Sequence, residues 1–176
     1  MLINTHKDFQ ILRNCFFIKG TLTDINTKYF IDKIEEGIKE ETNLSHHTSV
    51  QGGMTSWRFF NNDKEFHKVI FKLMDYIEDS KIIDNKKYYL EASWGIKEGF
   101  GNFTRLHEHI PSILSGVIYL SHANQKLYFP EINENIDPSP GSFALFPGFL
   151  KHGTKHRSSD DSVKYGIAFN FYIVAD

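Results

Sequence analysis

The feature that most constrains this chain is a change of hydrophobic period at Tyr88. Before it, apolar residues recur at helical spacing; after it, they fall in short runs divided by turn residues. Ile25, Tyr29, Phe30, Ile34 and Ile38 mark one amphipathic helix, with Lys and Glu opposite, and Asp24 or Asn26 is placed to cap it. Gly37 lies inside this helix and weakens it by roughly 1 kcal/mol relative to Ala. Phe66, Val69, Ile70, Leu73, Met74 and Ile77 follow i, i+3, i+4, i+7, i+8, i+11. This predicts a second helix, capped by Asn62 or Asp63.

From Tyr88 the chain reads as strands: 88–96, 103–109, 115–121, 126–129, 142–146 and 165–174, with Gly, Pro, Asn or Asp between them. Many short strands at such spacing indicate a sandwich or barrel. Upstream, Cys15-Phe16-Phe17-Ile18, closed by Lys19-Gly20, reads as an edge strand. Residues 43–56 read as a polar, Gly-rich loop, and Trp57 to Phe60 as a short strand or a loop end packed on the core. The Gly52-Gly53 loop and the polar turn 133–138 are placed as candidate lids, although most loops are only loops. With no repeat or linker, residues 1–176 read as one domain, 1–87 a helical support region and 88–176 the β core.

At 176 residues the chain suffices for one proper core. Its formal charge of −2 gives no support to nucleic-acid or membrane-surface binding. The one cysteine, Cys15, forms no internal disulfide, which fits a reducing, cytoplasmic setting. No run of about 18 apolar residues suggests a membrane span.

The β half carries the chemistry. His107 and His109 are separated by one residue, so in an extended chain they point to the same side. His152 ends another apolar run, 43 residues after His109. Two imidazoles on one face and a distant third make three corners of a metal's coordination sphere, leaving other positions open. The bland alternative is that 9 histidines in one chain fall close together by chance. The adjacent His46 and His47 point apart and make poor partners. His67 lies off the apolar stripe of its helix and reads as exposed; His122 and His156 read as loop residues.

The series Asn102-Phe103-Thr104-Arg105-Leu106-His107-Glu108-His109-Ile110-Pro111, Ser115-Gly116-Val117-Ile118-Tyr119-Leu120, Gly141 to His152 and Lys164 to Asn170 resembles the iron(II)- and 2-oxoglutarate-dependent oxygenases. The likeness is to their compact bacterial and phage-type branch and covers about residues 88–174. It implies an α+β fold, a double-stranded β-helix (jelly-roll) barrel buttressed by the N-terminal helices. His107 and His152 match the iron-binding histidines. His109 stands where most of the superfamily has an aspartate, which makes a three-histidine set the expectation over Glu108 or Glu131. Lys164, 12 residues past His152, stands near the family's co-substrate arginine, and binds as a point charge rather than a fork. If Lys164 points inward, Gly166, Ala168 and Asn170 do so by alternation. Tyr119 matches a tyrosine that bonds the same carboxylate. Arg105, on the His107 face, together with Ser115 and Asn170, completes the co-substrate and substrate candidates.

The implied reaction consumes dioxygen and 2-oxoglutarate, releases succinate and carbon dioxide, and hydroxylates a C–H bond of a small molecule, amino acid or peptide. Two rivals remain open. A cupin-type metal enzyme would share the three histidines without needing Lys164 and Tyr119 to converge. A non-catalytic β-sandwich binding module would not bring the histidines to one point.

Overall fold

The structure is a computed structural model describing residues 16–40, 49–79, 87–155 and 162–174. Strand β1 (Ile18–Thr21) leads into helix α1 (Thr27–Glu40), followed by β2 (Val50–Gln51), β3 (Gly53–Met54) and helix α2 (Lys64–Asp79). Then come β4 (Tyr88–Glu98), β5 (Phe103–Thr104), β6 (Leu114–Tyr119), β7 (Leu127–Phe129), β8 (Glu134–Ile136), β9 (Ser142–Pro147), β10 (Gly153–Thr154) and β11 (Lys164–Ile173). Both helices start where a side chain replaces a missing backbone partner. The Tyr29 amide donates to Asn26 Oδ1 at 3.2 Å and the Phe66 amide to Asp63 Oδ1 at 2.8 Å, satisfying donors that a helix N-terminus leaves open.

One antiparallel sheet of six strands, ordered β1-β9-β6-β11-β4-β3, dominates the molecule. A three-stranded sheet, β10-β7-β8, and the pair β2-β5 accompany it. The long strands divide their residues by alternation. Leu114, Ile118, Leu145, Ile167 and Phe169 pack with Phe30, Ile34, Phe66 and Leu73 of the helices. Val117, Tyr119, Ala144 and Phe146 pack with Leu127, Phe129 and Ile136 of the small sheet. Ala92, Trp94 and Ala168 form a third cluster with Val50 and Met54. Both faces of the main sheet are therefore buried, which is why β6 and β9 are buried along their whole length. Gly37 has a packing reason to interrupt the helical pattern: a Cβ there would stand 2.5 Å from the Phe59 ring.

An edge strand does form on the main sheet, but as Ile18–Thr21 against β9, so Lys19 and Gly20 belong to the strand instead of closing it, and Phe16 and Phe17 precede it; Cys15 lies outside the described residues. Several expectations need correction. Residues 49–56 hold two short strands, with Val50 opposite Thr104 and Gly53 opposite Lys97. The stretch 133–138 contains β8, with Leu127 opposite Ile136. Both candidate lids are thus tied into sheets by ladder bonds. Of the two readings of Trp57 to Phe60, the loop end packed on the core is the one that forms, a turn with Phe60 fully buried and its amide donating to the Ser93 carbonyl at 3.1 Å. The strand expected over 103–109 stops at Thr104.

Candidate metal centre and its cavities

Beyond Thr104 the backbone leaves the sheet and turns toward the loop after β9. His107 and His152 face each other as an isolated antiparallel bridge, each amide donating to the other's carbonyl at 3.0 Å. The His109 amide donates to the Gly148 carbonyl at 2.6 Å. Gly148 permits this crossing, since a Cβ there would lie 2.0 Å from the Ser112 carbonyl oxygen. The histidines are therefore held by backbone pairing between two distant segments, not by one regular strand. Thr104 and His107 both face the cavity although only two residues separate them, so strict alternation is broken between them. This break turns Arg105 outward: it is exposed, away from the face it was expected to share with His107.

The side chains of His107, His109 and His152 converge, with one ring nitrogen from each within 4.8 Å of the others. His109 Nε2 and His152 Nε2 are 3.2 Å apart. Two nitrogens at about 2.1 Å from one ion would lie about 3.0 Å apart at a right angle and about 3.4 Å apart at a tetrahedral angle. The observed spacing falls between these limits.

Hydrogen bonds on the far side of each ring decide which nitrogen is available. His107 Nδ1 lies 2.8 Å from the Arg105 carbonyl and His152 Nδ1 lies 2.9 Å from the Leu150 carbonyl. A carbonyl only accepts, so Nδ1 carries the hydrogen and Nε2 keeps its lone pair. For His109 the partner is the Asn170 amide, 3.4 Å from Nδ1, which is held in turn by Ser115 Oγ at 2.8 Å. As placed, Asn170 Nδ2 faces His109 Nδ1 and Asn170 Oδ1 accepts from Ser115 Oγ; turning the amide over by 180° exchanges its O and N, and the turned amide would accept the Nδ1 hydrogen and leave Nε2 as the free donor atom. Burial pushes all three imidazoles below their ordinary range, His109 to about 3 with His107 adding to the effect. All are thus neutral, as metal ligation requires. Glu108 is exposed at the rim, and exposed Glu131 accepts from the Lys151 amide at 3.3 Å. Neither belongs to the metal-holding group found among the described residues.

Two cavities meet at the histidines. The inner one, of about 50 Å³, runs from the three rings to Tyr119, Glu98 and Lys164, past Gly166 and Ala168. The outer one, of about 270 Å³, shares His107, His109 and Trp94 and is walled by Met54, Trp57 and Tyr172, with Asn170 at its base. Trp94 is 3% exposed, and its indole N–H has no acceptor among the described residues. Lys164 is inward, and Gly166, Ala168 and Asn170 follow it inward as alternation requires. Its Nζ lies 5.9 Å from the centre of the Tyr119 ring. Burial, then the charge of Glu98, pushes the Tyr119 phenol far up, so it remains a hydrogen-bond donor.

Glu98, Thr104 and Gln125 were not anticipated. Lys164 forms an ion pair with Glu98, its direct cross-strand partner, and donates to Gln125 Oε1 at 2.6 Å. The signal was present in β4, where Ala92, Trp94, Ile96 and Glu98 share the inward face. The expected strand ends at Ile96, whereas β4 runs one alternation further, to Glu98. Of the other histidines, His122 is exposed, while His67 is half-buried and bonded to the Asn61 carbonyl at 2.6 Å, which corrects its expected exposure. His46, His47 and His156 lie outside the described residues.

No protein-family model and no curated protein matches the sequence. Solved structures do match the fold. A viral collagen prolyl hydroxylase from Paramecium bursaria Chlorella virus-1, in complex with 2-oxoglutarate, superposes with a TM-score of 0.69 at 17% identity, covering 92% of this chain and 98% of that one. A prolyl-4-hydroxylase from Pseudomonas putida gives 0.65 at 14% identity, over 93% and 95%. HygX from Streptomyces hygroscopicus, with nickel and 2-oxoglutarate bound, gives 0.64 at 12% identity, over 97% and 87%. The chain thus shares the fold of these proteins, here a mostly antiparallel sheet with two helices.

Proposed function

We propose that this protein is an iron(II)- and 2-oxoglutarate-dependent oxygenase, a single domain over residues 1–176 built on a double-stranded β-helix and working in the cytoplasm. The observation that carries the reading is the convergence of one ring nitrogen from each of three histidines at the junction of two cavities. The donor set fits a divalent iron with open positions, and neutral nitrogen ligands suit it chemically. Bound there, iron(II) would couple decarboxylation of 2-oxoglutarate by dioxygen, yielding succinate and carbon dioxide, to hydroxylation of a substrate C–H bond.

The chain's own residues supply position and exclusion. His107, His109 and His152 hold the ion, and Ser115 and Asn170 orient His109 rather than touching the co-substrate. The inner cavity receives the co-substrate, with Tyr119 donating to its distal carboxylate beside Lys164. Val117 and Phe146 keep that end dry. The outer cavity, walled by Trp57, Trp94 and Tyr172, takes a small molecule, amino acid or peptide side chain beside the same histidines. Arg105, on the outer surface, has no part in binding the co-substrate.

Protein reconstituted anaerobically with iron(II) and supplied with 2-oxoglutarate is expected to take up dioxygen and form succinate slowly without substrate. His152→Ala is expected to abolish both. One observation favours a second reading: Lys164 already has a buried counter-ion in Glu98, as a cupin-type enzyme that uses no oxo acid would allow. Metal retention with no absorption change on adding 2-oxoglutarate would establish that alternative.

A further inference from the structure

At the end of the inner cavity the positive charge is not available as it stands. Lys164 and Glu98 sit directly opposite each other on β11 and β4, with side chains 3% and 1% exposed. Each is tied further. Glu98 Oε1 accepts from Thr104 Oγ1 at 2.7 Å, and Lys164 donates to Gln125 Oε1. Gln125 is itself fixed, its amide nitrogen donating to the Asn102 and Lys155 carbonyls at 2.9 and 2.7 Å. The pair is neutral as a unit and built into the strand ladder. A carboxylate arriving beside Lys164 must share the ammonium with Glu98. It would leave two anions and one cation in a pocket whose neighbouring walls include Ile96, Val117 and Leu127.

We propose that Glu98 is a specificity-determining residue of this cavity: by holding Lys164, it removes most of the advantage a dicarboxylate would have over a 2-oxo acid with an uncharged end. This rests on the reading that the cavity receives a metal-bound 2-oxo acid. It follows that the native chain binds 2-oxoglutarate weakly and discriminates little between it and 2-oxopentanoate, which has the same chain length without the distal carboxylate. Glu98→Gln retains an oxygen to accept from Thr104 but leaves Lys164 without its counter-ion. A close buried charge pair then forms between Lys164 and the co-substrate, worth on the order of 100-fold in affinity.

The test is an anaerobic titration of the iron(II)-loaded protein with each oxo acid, read by metal-centred absorption and by calorimetry. In the native chain the two dissociation constants are expected within about tenfold of each other. In Glu98→Gln that for 2-oxoglutarate is expected to fall about 100-fold while that for 2-oxopentanoate holds, and adding Lys164→Met to Glu98→Gln should again equalise them. A native preference for 2-oxoglutarate of 100-fold or more overturns the proposal without any variant, so a failure of Glu98→Gln to fold does not protect it. In a folded Glu98→Gln protein, an unchanged ratio also overturns it. Binding of neither acid to the metal-loaded native protein overturns the oxygenase reading and this proposal together, an outcome distinct from tight, selective binding of 2-oxoglutarate.

Discussion

Asn170 does its work through His109. Its amide is the link between Ser115 Oγ, 2.8 Å away, and His109 Nδ1, 3.4 Å away. A ligand imidazole whose outer nitrogen loses its partner can rotate and change tautomer, which typically costs 10- to 100-fold in metal affinity. Asn170→Ala is therefore expected to weaken iron(II) or cobalt(II) binding by about that factor with the circular dichroism unchanged. Asn170→Asp supplies an oxygen that accepts the Nδ1 hydrogen, and should retain most of the affinity. Equal losses in both variants, measured by chelator competition, would show that the contact does not orient the ring. The sequence points to Asn170 as an inward-facing ligand candidate, because strand alternation tells which side a residue faces. It does not tell which atom the residue touches. The same limit hid Glu98, whose role depends on the cross-strand register that sets it against Lys164.

Helix α2 shows what a local pattern can say about an element. Its stripe of Phe66, Val69, Ile70 and Leu73 is buried, as the spacing predicts, and Asp63 caps it. That carboxylate also accepts the Tyr29 hydroxyl at 2.6 Å, tying α1 to the start of α2 and pushing the phenol up to about 12. Asp63→Ala removes the cap, worth about 1 kcal/mol, along with a hydrogen bond near the surface. The expected loss of stability is about 1–2 kcal/mol by urea denaturation. The Tyr29 phenol should return toward its ordinary value of about 10 in an ultraviolet titration; no change there would mean Asp63 does not hold it. The long strands were legible for the same reason as the helices, since period and length reinforce each other over many residues. Strands β2, β3, β8 and β10 have only two or three residues each. Such segments are too short to show a period, and their pairing is dictated by partners far along the chain.

At the scale of the whole molecule, the histidine cluster joins separate parts of the fold. His107 and His152 bridge the segments after β5 and after β9, while Asn170 of the main sheet supports His109. Without metal, acid should act on the molecule through this junction. The three folded-state pKa values lie below the ordinary 6.5, burial being the largest cause in each case. The unfolded chain therefore binds more protons than the folded one in the window below about 6.5, and stability falls as pH decreases through it. Above that window the imidazoles are neutral in both states and contribute no slope. For His109 the window extends down to about 3. Each histidine adds at most about 1.4 kcal/mol per pH unit. Chelator-treated protein is expected to lose urea stability steadily from pH 6.5 to 5, above the range where ordinary carboxylates titrate. His109→Gln, which has no ionisable group, should reduce the slope. A metal ion competes with these protons for the same nitrogens, so the loaded protein should be more stable at pH 7 and fall more steeply as acid releases the ion. A flat stability profile between pH 7 and 5 in both forms would mean that the imidazoles charge freely. That result would contradict their burial and remove the physical basis for a preformed metal centre.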